Sequence, residues 1–247
     1  MNIKTSACVC LLAASLSIPS HAQNTGSSPA SPNQQTGPDA GGMKHVIIIG
    51  ANGRTSAEII PRLLEIKDVK LRLFLRQAER LEKLKSDRVE LFEGDATRAE
   101  DLRQAIQGQD IVISTMGGLD LDTKTANIVK AMDEVKSHRL IVISAGGIWN
   151  ELPEPFNTWD KAMVGSYRPV NLRTAQVVED SDLDYTVLRP VWLNDKPAEK
   201  FTLTFKGEKY KGRQTSRASV ARFIADIVKD PARYSRQDVG ISQTGSD

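Results

Sequence analysis

The sequence predicts an α/β fold: a doubly wound parallel sheet with helices on both faces. Three observations predict it. Short apolar runs alternate with segments of helical period over about a hundred residues. The first run, Val46-Ile47-Ile48-Ile49, is apolar at every position, as a strand covered on both faces requires. Between that run and the first helical segment lies Gly50-Ala51-Asn52-Gly53-Arg54-Thr55. A strand, a tight glycine turn and a helix in that order make a phosphate cradle. Gly50 permits the turn, and Gly53 lets backbone approach a pyrophosphate because no Cβ intervenes. The third glycine of the dinucleotide fingerprint is Ser56 here.

The elements follow in order. Ala57–Ile66 reads as a helix with Ile59, Ile60, Leu63 and Leu64 on one face. Leu71–Leu75 is a second strand and Ala78–Lys85 a short charged helix. Val89–Phe92 is a third strand, ending at Gly94-Asp95. Thr97-x-x-Glu100 has the form of a capping box opening a helix to Ile106. Asp110–Ser114 and Leu140–Ser144 are the fourth and fifth strands, flanking a helix over Thr123–Val135. Trp149–Val164 reads as a long connection, followed by a helix over Pro169–Asp180 and a sixth strand, Tyr185–Leu188, closed by Arg189-Pro190. Phe201–Phe205 and Lys209–Tyr210 suggest a hairpin. Ser216 is placed to cap a last helix, Val220–Lys229, and Val239–Ile241 is a short final strand.

The N-terminus has a different composition. Lys4, the apolar stretch Cys8–Ile18 and the small residues of Ser20-His21-Ala22 have the form of a signal peptide over residues 1–22. Residues 23–42, rich in Ser, Pro, Gly, Gln and Asn, read as a disordered linker. The folded domain is expected over residues 43–247, with Met43-Lys44-His45 also resembling a natural start. The expectation is a periplasmic or secreted protein, or a cytoplasmic one if translation starts at Met43. N-terminal sequencing of the native protein separates the two: a first residue of Gln23 means export, and Met43 an internal start. Cys8 and Cys10 both fall in the leader, so the cleaved chain has no thiol for catalysis or for a cysteine-based metal site. A net charge of +2 argues against nucleic acid as a partner. No apolar run reaches the roughly 18–20 residues of a membrane span. No metal site is expected.

In a dinucleotide-binding sheet an acid at the end of the second strand grips the ribose hydroxyls of NAD, roughly 20 residues past the glycines. The second strand here ends in Leu75-Arg76-Gln77, with a cation and no acid. A carboxylate there would repel a 2′-phosphate, whereas a guanidinium can clasp one; the preferred cofactor is therefore NADP(H). Arg54 adds a second cation at the cradle. Asp95 can accept from an adenine amino group or serve as a turn aspartate. Thr115-Met116-Gly117 follows the fourth strand, where small residues let a cofactor cross the sheet edge. Gly50, Arg76, Asp95, Thr115 and Ser144 share one placement, at strand ends. Trp149, Trp159 and Trp192 fall after the fifth and sixth strands, where they can stack on a flat acceptor or cover the sheet end.

GANGRT, LFLR, GDAT, VISTMGG, VISAGG and DYTVLRP together resemble the NAD(P)H-binding, NmrA-like branch of the atypical short-chain dehydrogenase/reductases, and within it the biliverdin reductase B-like flavin reductases. The resemblance spans about Met43 to Ile241. It implies a Rossmann-like sheet with a small C-terminal substrate region. It further implies that Gly50, Asn52, Gly53, Arg54 and Thr55 hold the phosphates and that Arg76 selects NADP. Asp95 and Ala96 would contact the adenine, and Thr115, Met116 and Gly117 would flank the ribose. Ser144 would be the active-site serine, with Pro190 and Val191 beside the nicotinamide. The superfamily's catalytic Tyr-x-x-x-Lys pair reads Tyr167-x-x-x-Asn171, so Tyr167 joins Ser144 as a catalytic candidate while the lysine is missing. Asparagine cannot supply the charge that lowers a tyrosine pKa.

The function expected is an NADPH-dependent reductase passing hydride to a planar small-molecule acceptor such as a flavin or quinone. The alternative is a non-catalytic NADP(H)-binding module that senses redox state or binds a partner. These motifs assign no oligomeric state.

Overall fold

The computed structural model describes residues 42–197 and 200–244. The leader and, apart from Gly42, the linker expected from the sequence lie outside the described residues. An eight-stranded sheet has the order β3-β2-β1-β4-β5-β6-β10-β8. Its strands are β1 (Lys44–Ile49), β2 (Val69–Leu75), β3 (Val89–Glu93), β4 (Ile111–Ser114), β5 (Arg139–Ile143), β6 (Asp184–Pro190), β8 (Phe201–Phe205) and β10 (Gln237–Gln243). All pairings are parallel except β8 with β10. Two short strands, β7 (Leu193–Asn194) and β9 (Thr215–Ser216), pair separately.

The strand order follows from what covers each face. Successive side chains of β1 point to opposite sides. Val46 and Ile48 pack with α1 (Arg54–Leu64) and α6 (Arg217–Lys229), while Ile47 and Ile49 pack with α2 (Ala99–Ile106), α3 (Leu121–Val135) and α5 (Tyr167–Glu179). All four are fully buried, each contributing about 1.5–3 kcal/mol. The predicted architecture is the one observed, a Rossmann-like α/β fold. Among the described residues no helix is long and apolar enough to cross a membrane.

Several elements differ from the sequence reading. The first helix begins three residues early, at Arg54, so Arg54 and Thr55 form its first turn with Gly53 as N-cap. The charged segment Ala78–Leu84 is a 3-10 helix; it buries no residue fully and only Leu81 packs against the core, too little contact to hold it in α geometry. The capping box does not form. Thr97 donates backbone N and Oγ1 to Asp95 Oδ1, both at 2.9 Å, and α2 starts at Ala99 with no side-chain cap. Residues 156–164, read as loop, contain the helix α4 (Phe156–Val164). The helix expected from Pro169 starts at Tyr167, which leaves Pro169 in the first turn, where no helical N–H is required. The expected hairpin is absent. Phe201–Phe205 pairs with β10 instead, and Tyr210 is buried with its hydroxyl donating to the Arg189 carbonyl at 2.7 Å. The Ser216 cap is present, with Oγ accepting from Ser219 N at 3.1 Å.

Candidate functional site

β1 lies between β2 and β4, where the chain winds first one way and then the other, and a crevice opens at the C-terminal ends of such strands. A cleft of about 310 Å³ occupies that place. Its floor is Gly50, Asn52 and Gly53. One wall comes from Arg76, Gln77 and Arg80 after β2, and the other from Asp95, Ala96, Met116 and Gly117 after β3 and β4. Most of the residues nominated for a dinucleotide therefore meet in one crevice.

The turn is built for close approach. Gly50 has φ +90°, and a Cβ there would lie 3.1 Å from Met116 Cγ and from Thr115 Oγ1. Ser56, at the third position of the fingerprint, is fully buried. Its Oγ bonds the Gly50 carbonyl at 3.0 Å and lies 2.8 Å from Thr115 Oγ1, which in turn sits 3.1 Å from the Ile49 and Gly50 carbonyls. These hydroxyls bind the helix, the turn and the end of β4 together, so Thr115 turns its side chain to the protein and not to the cleft. The first backbone N–H groups of α1 have no partner inside the helix and carry its positive dipole end. The residues present thus fit an anionic pyrophosphate at Gly50–Gly53.

Cations lie at the β2 side. Arg76 and Arg80 are exposed, line the cleft and make no ion pair among the described residues; Arg80 was invisible to motif reading. It sits four residues past Arg76, and the 3-10 helix returns it to the same opening. Lys124 also lines the cleft and pairs with Asp120 at 2.8 Å. Asp95 is held below the usual carboxylate range, first by the two Thr97 hydrogen bonds and then by the charges of Arg76 and Lys124. Arg54 does not line the cleft. It pairs with Asp195 at 3.5 Å with both side chains largely exposed, an interaction worth at most about 1 kcal/mol.

The two residues nominated for catalysis sit apart from the cleft lining. Ser144 is buried at the end of β5, and its Oγ donates to the Asn171 carbonyl at 3.0 Å. Donating that proton to a ligand means breaking this bond, while the oxygen keeps its capacity to accept. Tyr167 is half exposed in the first turn of α5, and the Asn171 side chain donates to its carbonyl at 2.8 Å. Pro190 ends β6, with its carbonyl accepting from Gly146 N at 2.9 Å. Val191 is buried against Leu152 and Tyr210.

A second cleft, about 520 Å³, is walled by Phe156, Trp159 and Trp192 with Arg213 and Gln214 at its side. Phe156 and Trp159 come from α4, in the segment after β5, and Trp192 from the loop after β6. Phe156 and Trp159 stack at 5.6 Å, and Trp159 meets Trp192 at 4.7 Å. Trp149 is elsewhere: its indole donates to Asp238 at 2.7 Å, and Lys206 Nζ lies 3.8 Å above the ring. The tryptophans therefore divide, two in the cleft and one in a buried polar network.

That network centres on Arg189, which is fully buried between Glu151 and Asp238. Burial opposes its charge, yet Tyr210, Asp238 and Glu151 around it hold its pKa above the ordinary arginine value. Glu151 also accepts from Gly147 N at 3.2 Å and Trp149 N at 2.7 Å. The guanidinium thus fixes the loop that follows Ser144. Burial pushes the Tyr210 phenol far above its usual range, keeping it neutral. Among the described residues no cluster is arranged to hold a metal.

A family model described as NAD(P)H-binding matches residues 50–231. A Rossmann-fold NAD(P)-binding family protein from Shigella flexneri is 35% identical over 83% of this chain and 96% of its own, with a TM-score of 0.71. A short-chain dehydrogenase/reductase from Veillonella parvula, in complex with NADP, is 28% identical over 82% of this chain and 96% of its own, with a TM-score of 0.77. ChuY, an anaerobillin reductase from Escherichia coli O157:H7, is 24% identical over 83% and 99% with a TM-score of 0.72, a likeness of fold.

Proposed function

The chain belongs to the NAD(P)H-binding family, and from that premise we propose that it is an NADPH-dependent reductase whose acceptor is a planar small molecule such as a flavin or quinone. One observation carries this reading: besides a glycine-floored cleft with Arg76 and Arg80 along one wall, the chain has a second cleft walled by aromatic rings from segments that follow β5 and β6. The first suits a pyrophosphate at Gly50, Asn52 and Gly53 and a 2′-phosphate between Arg76 and Arg80. The absence of an acid after β2 favours NADPH over NADH, and the Veillonella parvula neighbour in complex with NADP supports that choice. The second cleft suits a flat ring that stacks on indole.

When bound, the dinucleotide supplies the hydride. The protein's part is orientation. Gly50–Gly53 anchors the phosphates, Arg76 and Arg80 fix the adenosine end, and the Ser144–Gly146 and Pro190–Val191 segments border the reacting end. Flavins and quinones take their proton readily from water, so this reading needs no tyrosine–lysine pair and is consistent with Asn171 and with an exposed Tyr167.

Steady-state assays of the purified protein with riboflavin, FMN and menadione test this. NADPH oxidation with at least one acceptor, and much slower oxidation of NADH, is the expected result. Tight NADPH binding in calorimetry with no turnover on the panel would instead support the binding-module reading.

A further inference from the structure

Trp192 has a backbone φ of +22°, on the left-handed side that bulky residues seldom occupy. Such outliers persist only where surrounding contacts maintain them. The contacts here converge on Asp160, a carboxylate whose side chain is 4% exposed. Its Oδ1 accepts from Trp192 Nε1 at 2.8 Å, and its Oδ2 accepts from Arg168 at 2.9 Å. The other Arg168 nitrogen donates to Asn157 Oδ1 at 2.9 Å. Gly147, with φ +90°, lies directly on this carboxylate, since a Cβ there would be 3.0 Å from Asp160 Oδ2. Asp160 in α4 therefore ties the loop after β5, the start of α5 and the loop after β6 to one indole. That indole packs against Trp159 at 4.7 Å between centroids, tilted by 38°, and ends the aromatic cleft.

We propose that Asp160 is a positioning residue that locks the Trp192 indole as a rigid end wall, setting the plane in which a flat acceptor stacks. The proposal rests on the acceptor reading given above. A buried carboxylate is retained only when paired, and Arg168 pairs this one. The Trp192 ring is partly exposed, but its N–H turns inward to the buried carboxylate of Asp160. The geometry joins both requirements at the ring that the acceptor would touch, without Asp160 touching the acceptor.

The test is a double-mutant cycle of Asp160→Ala and Trp192→Phe, read by equilibrium binding of riboflavin and by its KM with NADPH. With Trp192 present, D160A is expected to weaken riboflavin binding and raise KM by up to about tenfold, the scale of one hydrogen bond. The NADPH Kd and kcat should stay within about twofold. In the W192F background, D160A should change riboflavin binding less than about twofold, because the lever is gone. An equal effect in both backgrounds would mean a purely structural Asp160 and would overturn the proposal. A wild-type protein that binds neither riboflavin nor FMN nor menadione overturns the acceptor reading itself and the part of the proposal that concerns stacking. The lock is then judged in W149F/W159F, where Trp192 is the one remaining tryptophan of three. Adding D160A there should shift its emission to the red; an unchanged spectrum overturns the lock.

Discussion

Replacing Arg189 with methionine is expected to lower the unfolding free energy by about 3–5 kcal/mol, the cost of leaving a buried ion unpaired. Arg189 is fully buried, and Glu151 and Asp238 reach it from two different segments. Methionine fills much of the same volume but leaves two carboxylates without their cation. For a domain of this size each kcal/mol moves Tm by roughly 2–4 °C, so a fall of about 6–20 °C should be seen by calorimetry. Adding Glu151→Gln and Asp238→Asn to R189M should recover part of the loss, because neutral groups bury at lower cost than unpaired ions. A fall of less than about 1 kcal/mol for R189M alone would show that the network is stabilised by other contacts.

Converting Arg76 to aspartate should weaken NADPH binding by about 10–100-fold while changing NADH affinity far less. A hydrogen bond to a charged group contributes about 1.5–3 kcal/mol, and the new carboxylate adds repulsion of the 2′-phosphate. Arg80 lines the same opening, so R76D/R80A should lose more NADPH affinity than R76D, again with NADH nearly unaffected. Both cations are exposed, so the preference for NADPH should shrink as salt rises. Calorimetric titration with both dinucleotides gives the comparison. Equal losses for the two would remove the case for a 2′-phosphate site.

Much of this could be read from the sequence because the central strands are covered on both faces. Val46–Ile49 must be apolar throughout, and a glycine with φ +90° must follow where the backbone turns into α1. What escaped reading escaped for specific reasons. In α4 the buried residues are Asn157 and Asp160, whereas Trp159 and Met163 are exposed, so its polarity is inverted and no apolar period marks it. Thr97 had the spacing of a capping residue, but Asp95 is nearer and takes its N–H and hydroxyl. β8 takes its partner from beyond α6, a pairing that no local pattern carries. Arg80 needed the 3-10 turn to be known before it could be placed beside Arg76. Ser144 was visible as a strand-end hydroxyl, but its bond to the Asn171 carbonyl depends on how α5 docks.

The position of β10 also bears on the order of assembly during synthesis. β10 lies between β6 and β8, and β8 has no other neighbour in the sheet. When residues 201–205 leave the ribosome, the strand they must join has not yet been made. β8 must wait until residues 237–243 emerge, and until then β6 keeps one edge unpaired. The half that carries the glycine turn, β1 to β5, meets no such delay, since every pairing within it is between strands made before residue 144. A nascent chain stalled after α6 and before residue 237 would therefore have made every strand and helix that frames the dinucleotide crevice, while its C-terminal edge still waits for closure.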